Sequence, residues 1–153
     1  MAANLQFRAD IDRFAKLLND RVDVVMNAVA VALHSKLGEV TPYRTGRARA
    51  SWNISTAGPD TKPAPELPFK FADEFRPTAG ELARANAFYD PIFDRKNKFE
   101  APPGVIEIWI ANNVHYIENL NAGSSKQAPA GFFEATVAGL EAIVNAQIAK
   151  FAA

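Results

Sequence analysis

Apolar residues recur at three- and four-residue spacing from Phe7 through Ile11, Phe14, Leu18, Val22, Val25 and Val29 to Leu33. That spacing marks one face of a helix and predicts a single helix over residues 5–37. Arg8, Asp12, Lys16, Asp20 and Asp23 fall mostly off the stripe. Asn4 stands where an N-cap belongs and Gly38 where a C′ residue belongs, while Pro42 keeps the helix from resuming. At about 1.5 Å per residue the helix would be roughly 50 Å long. Its stripe then lies across the domain's own sheet, or in part covers a neighbour.

The period changes to two at Arg47. Ala48, Ala50, Trp52 and Ile54 share one face, and Arg47, Arg49, Ser51, Asn53 and Ser55 the other. This reads as a half-buried strand. A second alternation runs from Val105 to Ile110, with Ile106, Ile108 and Ile110 on one face and Val105, Glu107 and Trp109 on the other. Asn112-Asn113 ends it. Two-faced strands of this kind suit an antiparallel sheet with helices on one side.

Residues 57–77 hold five of the chain's ten prolines, so regular structure is not expected there. Phe69, Phe71 and Phe75 punctuate the segment, and a loop of this length is expected to dock on its own domain or on another copy. Thr78-Ala-Gly-Glu81 is a capping box. It predicts a short helix to about Tyr89 that buries Leu82, Ala85, Phe88 and Tyr89 and is closed by Pro91. Asp94 to Lys98 reads as a charged turn. A last helix, about 131–151, carries the stripe Phe133, Val137, Leu140, Val144 and Ile148.

Between the second strand and the last helix lies the stretch around which the rest is organised, residues 113–137. Its middle, Gly123 to Gly131, is glycine, proline and small polar residues, so it must turn. Val114, Tyr116, Ile117 and Leu120 precede it and Phe132, Phe133 and Val137 follow, which ties a β element to a packed helix. The fold class that results is α+β: a small antiparallel sheet packed against a long N-terminal helix and a C-terminal helix. The organisation is one domain over residues 1–153, with an irregular insertion at 57–104 that contains one short helix.

Composition narrows the function. The 153 residues are 48% hydrophobic, enough for a real core. Seventeen basic residues balance seventeen acidic ones, which argues against a free-standing nucleic-acid binder but leaves room for a local basic patch. There is no cysteine, hence no disulfide framework and no thiolate chemistry. The first residues lack a basic region followed by an apolar run, so no signal peptide is expected. No stretch is long and apolar enough to span a membrane. The chain is expected to be made in a cytoplasm.

Candidate chemistry is sparse. His34 and His115 have no ligand-spaced partners, so no metal or cofactor is expected. His34, near a helix end, could meet terminal carbonyls. Asp90 and Asp94 flank Pro91-Ile-Phe without an accompanying nucleophile or base. Arg44, Arg47 and Arg49 are more suggestive. Arg47 and Arg49 would point to one side of the strand, with Arg44 adding a third charge at its start. Such a group is either a solvated face, paired with Glu107, or a patch facing DNA phosphates or an acidic subunit. Trp109 on the outer face of its strand, and Phe69, Phe71 and Phe75 in the insertion, are candidates for a subunit interface.

Two motifs carry a resemblance. Tyr116-Ile117-Glu118, Gly123 and above all Ser125-Lys126-Gln127-Ala128-Pro129-Ala130-Gly131 look like the C-terminal signature of the tail-completion (head–tail joining) proteins of tailed bacteriophages. That family also carries a Thr-Pro-x-x-Thr-Gly-x-x-x-x-Ser-Trp pattern, present here as Thr41, Pro42, Thr45, Gly46, Ser51 and Trp52. The resemblance covers roughly residues 5–56 and 105–150. The family usually has an acid where Arg44 stands and a large aliphatic where Ala48 stands. Pro42, Gly46, Gly123, Lys126, Gln127, Pro129 and Gly131 are the motif turn residues.

The resemblance implies a structural virion protein, not an enzyme, located at the head-proximal end of a tail. It implies a homo-oligomeric ring, hexameric in the family, around the DNA channel, with tail and head-connector proteins as neighbours and packaged DNA within reach. Two other readings compete. One is a nucleic-acid-binding module using Arg44, Arg47 and Arg49 with Trp52 or Trp109, although period two turns Trp52 away from Arg47 and Arg49. The other is a small hydrolase using Asp90, Asp94 or His115, which would need a deep pocket joining them.

Overall fold

A computed structural model describes residues 22–105 and 107–152. In chain order it contains α1 (Val22–Val40), α2 (Arg47–Ala50), β1 (Trp52–Ser55), α3 (Ala79–Lys96), β2 (Trp109–Asn112), α4 (Ile117–Asn121), α5 (Phe132–Ala138) and α6 (Leu140–Ala152). β1 and β2 form an antiparallel pair in which Trp52 lies opposite Asn112 and Ile54 opposite Ile110. A small antiparallel sheet against long first and last helices is the expected α+β class.

The apolar stripe of α1 does what its spacing predicts. Val25, Met26 and Val29 are buried against Val144 of α6, with Leu140, Ile143 and Ile148 around them. Further along, Leu37 meets Trp52, Ala128 and Phe132, joining helix, strand and motif turn in one cluster. Burial of Leu37 and Phe132 contributes about 1.5–3 kcal/mol each. Asn4 and the stripe from Phe7 to Leu18 lie outside the described residues.

The end of α1 differs from the expectation. The helix passes through Gly38 and stops at Val40. A Cβ at Gly38 would sit 2.1 Å from the Phe93 ring. Glycine is therefore there to let α3 approach, not to end the helix. The last turn is closed by Thr41, whose N–H and Oγ1 both donate to the carbonyl of Leu37, at 3.0 and 2.6 Å.

Residues 47–50 are not strand. Gly46 takes φ +97°, the left-handed region, and the chain turns into α2 with the Ala50 N–H on the Gly46 carbonyl at 2.9 Å. Alanine alternation suits a strand face only weakly, whereas Ala48 and Ala50 are small enough to bury a helical turn against α3. The Arg47 and Arg49 side chains consequently do not share a strand face.

Pro91 does not close α3, which continues to Lys96 and takes in Asp94. Proline's fixed φ fits the helix. The carbonyl it leaves without an N–H partner belongs to Ala87, an exposed residue. The capping box forms as expected: the Glu81 N–H donates to Thr78 Oγ1 at 3.2 Å, and Glu81 Oε2 takes the Thr78 N–H at 2.8 Å. The longer helix brings Phe93 into the core beside Tyr89 and Ala85, while Leu82 and Phe88 are only half-buried.

The second strand lies later than expected, at Trp109–Asn112 instead of 105–110. The antiparallel register explains the shift: Trp109 lies opposite Ser55, the last residue of β1, so pairing begins only there, and Asn112 lies opposite Trp52, where β1 starts. The final helix is two helices broken at Gly139, and the buried position at its start belongs to Phe132 instead of Phe133. The short helix α4 lies just ahead of the Gly123–Gly131 turn, at residues for which the sequence predicts no element.

The proline-rich segment has no regular structure, as expected. Its backbone groups find side chains instead of a ladder, the usual alternative for ordered loops. Asn53 Nδ2 donates to the carbonyls of Asp60 and Lys62 at 2.9 and 2.7 Å. The Ala64 N–H donates to Ser51 Oγ at 3.0 Å, and Tyr89 Oη to the Pro65 carbonyl at 2.9 Å.

Candidate functional site

The two motif turns lie side by side. The Tyr43 N–H donates to Gln127 Oε1 at 2.6 Å. Residues 42–46 of the first turn and 124–127 of the second line one open cleft of about 570 Å³, completed by Ala48, Tyr116 and Leu120.

Each turn is fixed from behind. In the first, Trp52 Nε1 donates to Thr41 Oγ1 at 2.8 Å, so the tryptophan holds the residue that closes α1. Tyr43 Oη donates to Asp90 Oδ1 at 2.8 Å, and Asn86 Nδ2 to the Arg44 carbonyl at 2.9 Å, both from α3. A Cβ at Gly46 would lie 3.1 Å from the Tyr89 Cβ. In the second, the Gly131 N–H donates to the Asn121 carbonyl at 2.7 Å. Asn121 Oδ1 accepts from the Phe133 N–H at 2.9 Å, satisfying one of the free N–H groups that open α5. Asn121 Nδ2 donates to Glu134 Oε2 at 2.8 Å, which holds the Glu134 carboxyl below its ordinary range. Pro129 and Ala130 are exposed, while Ala128 reaches the core.

The three arginines have separate fates. Arg44 is exposed and donates from Nη2 to the Phe75 carbonyl at 3.1 Å. Arg47 pairs with Glu66 at 2.6 Å and donates from Nε to the Ala64 carbonyl at 3.1 Å. Arg49 lies with its guanidinium carbon 4.3 Å from the Phe93 ring centroid and 5.6 Å from that of Tyr43. The other face of Phe93 stacks on His34 at 4.8 Å. A three-charge patch is not formed. Arg47 and Arg49 hold the fold, and the cleft's cations are Arg44 and Lys126.

Burial and the Asp90 contact push the Tyr43 hydroxyl up to about 12. Desolvation likewise raises Tyr116. Both phenols therefore stay protonated and can only take part in hydrogen bonds. Neither Asp90, Asp94 nor His115 lines the cleft. Asp94 and His115 are exposed, and the His115 ring stands edge-on to Tyr116 at 4.9 Å. Among the described residues no group of three or more His, Asp or Glu could hold a metal ion. No helix among them is long and apolar enough to cross a membrane.

His34 is fully buried, less than two turns before the end of α1, and it bonds to other elements instead of the helix's terminal carbonyls. Its Nε2 lies 3.1 Å from the Trp52 carbonyl and its Nδ1 2.6 Å from the Asn97 amide. The carbonyl only accepts, so Nε2 carries a proton. Desolvation lowers the pKa, Lys96 and Arg49 add to it, and the bonds to Asn97 and Trp52 oppose it. Lys96 is also partly buried, donating to the Ala50 carbonyl and to Asn53 Oδ1 at 2.5 and 2.6 Å, and desolvation lowers its pKa.

The candidate interface aromatics divide. Phe69 and Phe71 are half-buried edge to face at 6.0 Å, and Arg84 covers Phe69 at 4.0 Å. Trp109 is half-buried. Phe75 is 90% exposed. Comparison with known proteins finds no match: no family model, no curated protein and no solved structure aligns with the chain.

Proposed function

We propose that this chain is a structural subunit of a tailed-phage virion, completing the head-proximal end of the tail and helping it join the head. The observation that supports this most is the Tyr43–Gln127 bond. The two motifs that carry the resemblance are 84 residues apart in sequence and share one cleft. Residues chosen only to shape isolated turns have no need to meet. A cleft with two cations, hydroxyls and no carboxylate in its lining suits contact with a neighbour better than chemistry. The subunit reading includes a homo-oligomeric ring around the DNA channel, with Arg44 as the one member of the arginine group still placed to meet DNA or an acidic neighbour.

The test is genetic and compositional. Mass spectrometry of purified particles is expected to find the chain as a stoichiometric component. Removing its gene is expected to yield filled heads and separate tails. Normal particle yield without the protein rejects the reading.

A further inference from the structure

We propose that the cleft between the two motif turns is a docking site for an acidic peptide segment of a neighbouring protein, with a carboxylate of that segment held between Arg44 and Lys126. The proposal deepens the subunit reading, which supplies the neighbour, although the binding itself can be measured on the isolated chain.

Charge in the cleft is unbalanced. Arg44 comes from one turn and Lys126 from the other, and both are exposed. Among the described residues neither has a carboxylate within ion-pair distance. Arg44 uses Nη2 on the Phe75 carbonyl at 3.1 Å, and the rest of its planar fork is open to a carboxylate. No Asp or Glu lines the cleft. Asp90 approaches from behind, 3.8 Å from where a Cβ at Gly46 would stand, but its Oδ1 is engaged by the Tyr43 hydroxyl at 2.8 Å.

The rest of the lining donates as well. Thr45 Oγ1 accepts from the Arg47 N–H at 3.3 Å and Ser125 Oγ from the Gln127 N–H at 3.2 Å, which leaves both hydroxyl protons for an outside acceptor. Gly46 is buried, and among the described residues its N–H meets no acceptor. A buried N–H without a partner is rare, and beside a cleft it marks a place for an acceptor oxygen. Two cations with donors around them select a group that only accepts, a carboxylate or a phosphate.

The surroundings favour a carboxylate on a peptide over a nucleic-acid strand. Asp73 and Glu74 are exposed in the loop that Arg44 holds, and Arg76 beside them offsets only one of the two. A polyanion laid over the rim must pass them, whereas a single carboxylate seated in the cleft need not. The chain as a whole carries no excess positive charge to draw in a polyanion. The cleft holds about 570 Å³, several times the roughly 150 Å³ that accommodates a benzene ring. That leaves room beside the carboxylate for a second side chain, and Leu120 and Tyr116 give it an apolar wall. The segment recognised therefore pairs an acidic residue with an aliphatic one.

The test titrates the full chain, labelled with ¹⁵N, with a capped peptide of sequence Gly-Asp-Leu-Glu-Gly. Amide shifts are expected at Thr45, Gly46, Ser125 and Lys126, with an affinity that falls as salt rises. Arg44→Ala and Lys126→Ala, both at exposed sites, are expected to fold normally and each to weaken binding about 10-fold, the effect of one charged hydrogen bond. Lys98→Ala, at an exposed cation outside the cleft, is expected to bind as wild type does. The Arg44→Glu, Lys126→Glu double variant is expected to reject this peptide and to take Gly-Lys-Leu-Lys-Gly instead. An acidic peptide that moves no cleft amide, or that binds Arg44→Ala and Lys126→Ala as tightly as wild type, overturns the proposal. So does an oligothymidylate that binds the cleft more tightly than the peptide, which assigns the site to nucleic-acid phosphates. Either result leaves the virion reading to particle composition. Absence of the chain from particles rejects that reading, while peptide binding by the isolated chain stands.

Discussion

Gln127 holds Tyr43 by a single hydrogen bond from backbone N–H to side-chain carbonyl, and that bond joins the two halves of the motif cleft. The site is exposed, so its removal is expected to cost only about 0.5–1 kcal/mol. Gln127→Ala should therefore leave the melting temperature nearly unchanged while the Tyr43 amide exchanges with solvent markedly faster. Hydrogen exchange read at that amide checks the link. An unchanged exchange rate would mean that the turns are held together by packing alone.

Gly38 and Phe93 make a tighter prediction. Alanine is the better helix former by about 1 kcal/mol. Its methyl would nevertheless lie 2.1 Å from the Phe93 ring, which is sandwiched between His34 and Arg49 and has little room to move. Gly38→Ala is expected to destabilise by about 2 kcal/mol net, within the range of overpacked cores. Urea denaturation of the two proteins measures it.

Thr41 Oγ1 accepts from the Trp52 indole N–H and donates its own O–H to the Leu37 carbonyl. Thr41→Val keeps the shape and leaves that indole donor buried without a partner. The expected loss is about 1–3 kcal/mol. Trp52→Phe in the Thr41→Val background removes the orphaned donor as well. A double-mutant cycle by denaturation should then show positive coupling between the two sites.

His34 gives a pH dependence whose sign is set by its lowered pKa. Above the ordinary value of 6.5 the ring is neutral in both states, and its full contribution to stability is present. Below 6.5 the unfolded chain takes up a proton that the folded chain resists, so stability falls as pH drops toward the folded pKa. One proton limits the slope to about 1.4 kcal/mol per pH unit. Denaturation between pH 7.5 and about 5.5, above the range of ordinary carboxylates, should show this slope in wild type and a shallower one in His34→Gln. Equal slopes would assign the acid sensitivity elsewhere.

The local signals that proved legible are those with a local cause. The Thr78–Glu81 capping box is written in four residues and forms as written. Gly46 and Gly131 occupy positive-φ turns at the motif positions. Val25 and Val29 of the predicted stripe are buried and Leu33 is half-buried, so the stripe marks the inward face of α1, and the α+β class follows from the two periods together. The motif residues of the site were likewise visible, although the bond between them was not.

What failed had long-range causes. Ala48 and Ala50 alternate as a strand would, but the close approach of α3 makes a buried helical turn the better use of two alanines. That choice separated Arg47 from Arg49 and dissolved the patch expected from them. Pro91 looked like a stop, yet it lies inside α3, four residues after exposed Ala87, whose carbonyl is the one it leaves without a helical partner. Gly38 looked like a cap because nothing in the sequence places Phe93 beside it. Sequence by itself determined where this chain turns and which side of its longest helix is apolar, because steric and hydrophobic preferences act residue by residue. Tertiary structure alone decided which arginine stayed exposed and which aromatic stayed in solvent, because both depend on neighbours tens of residues away.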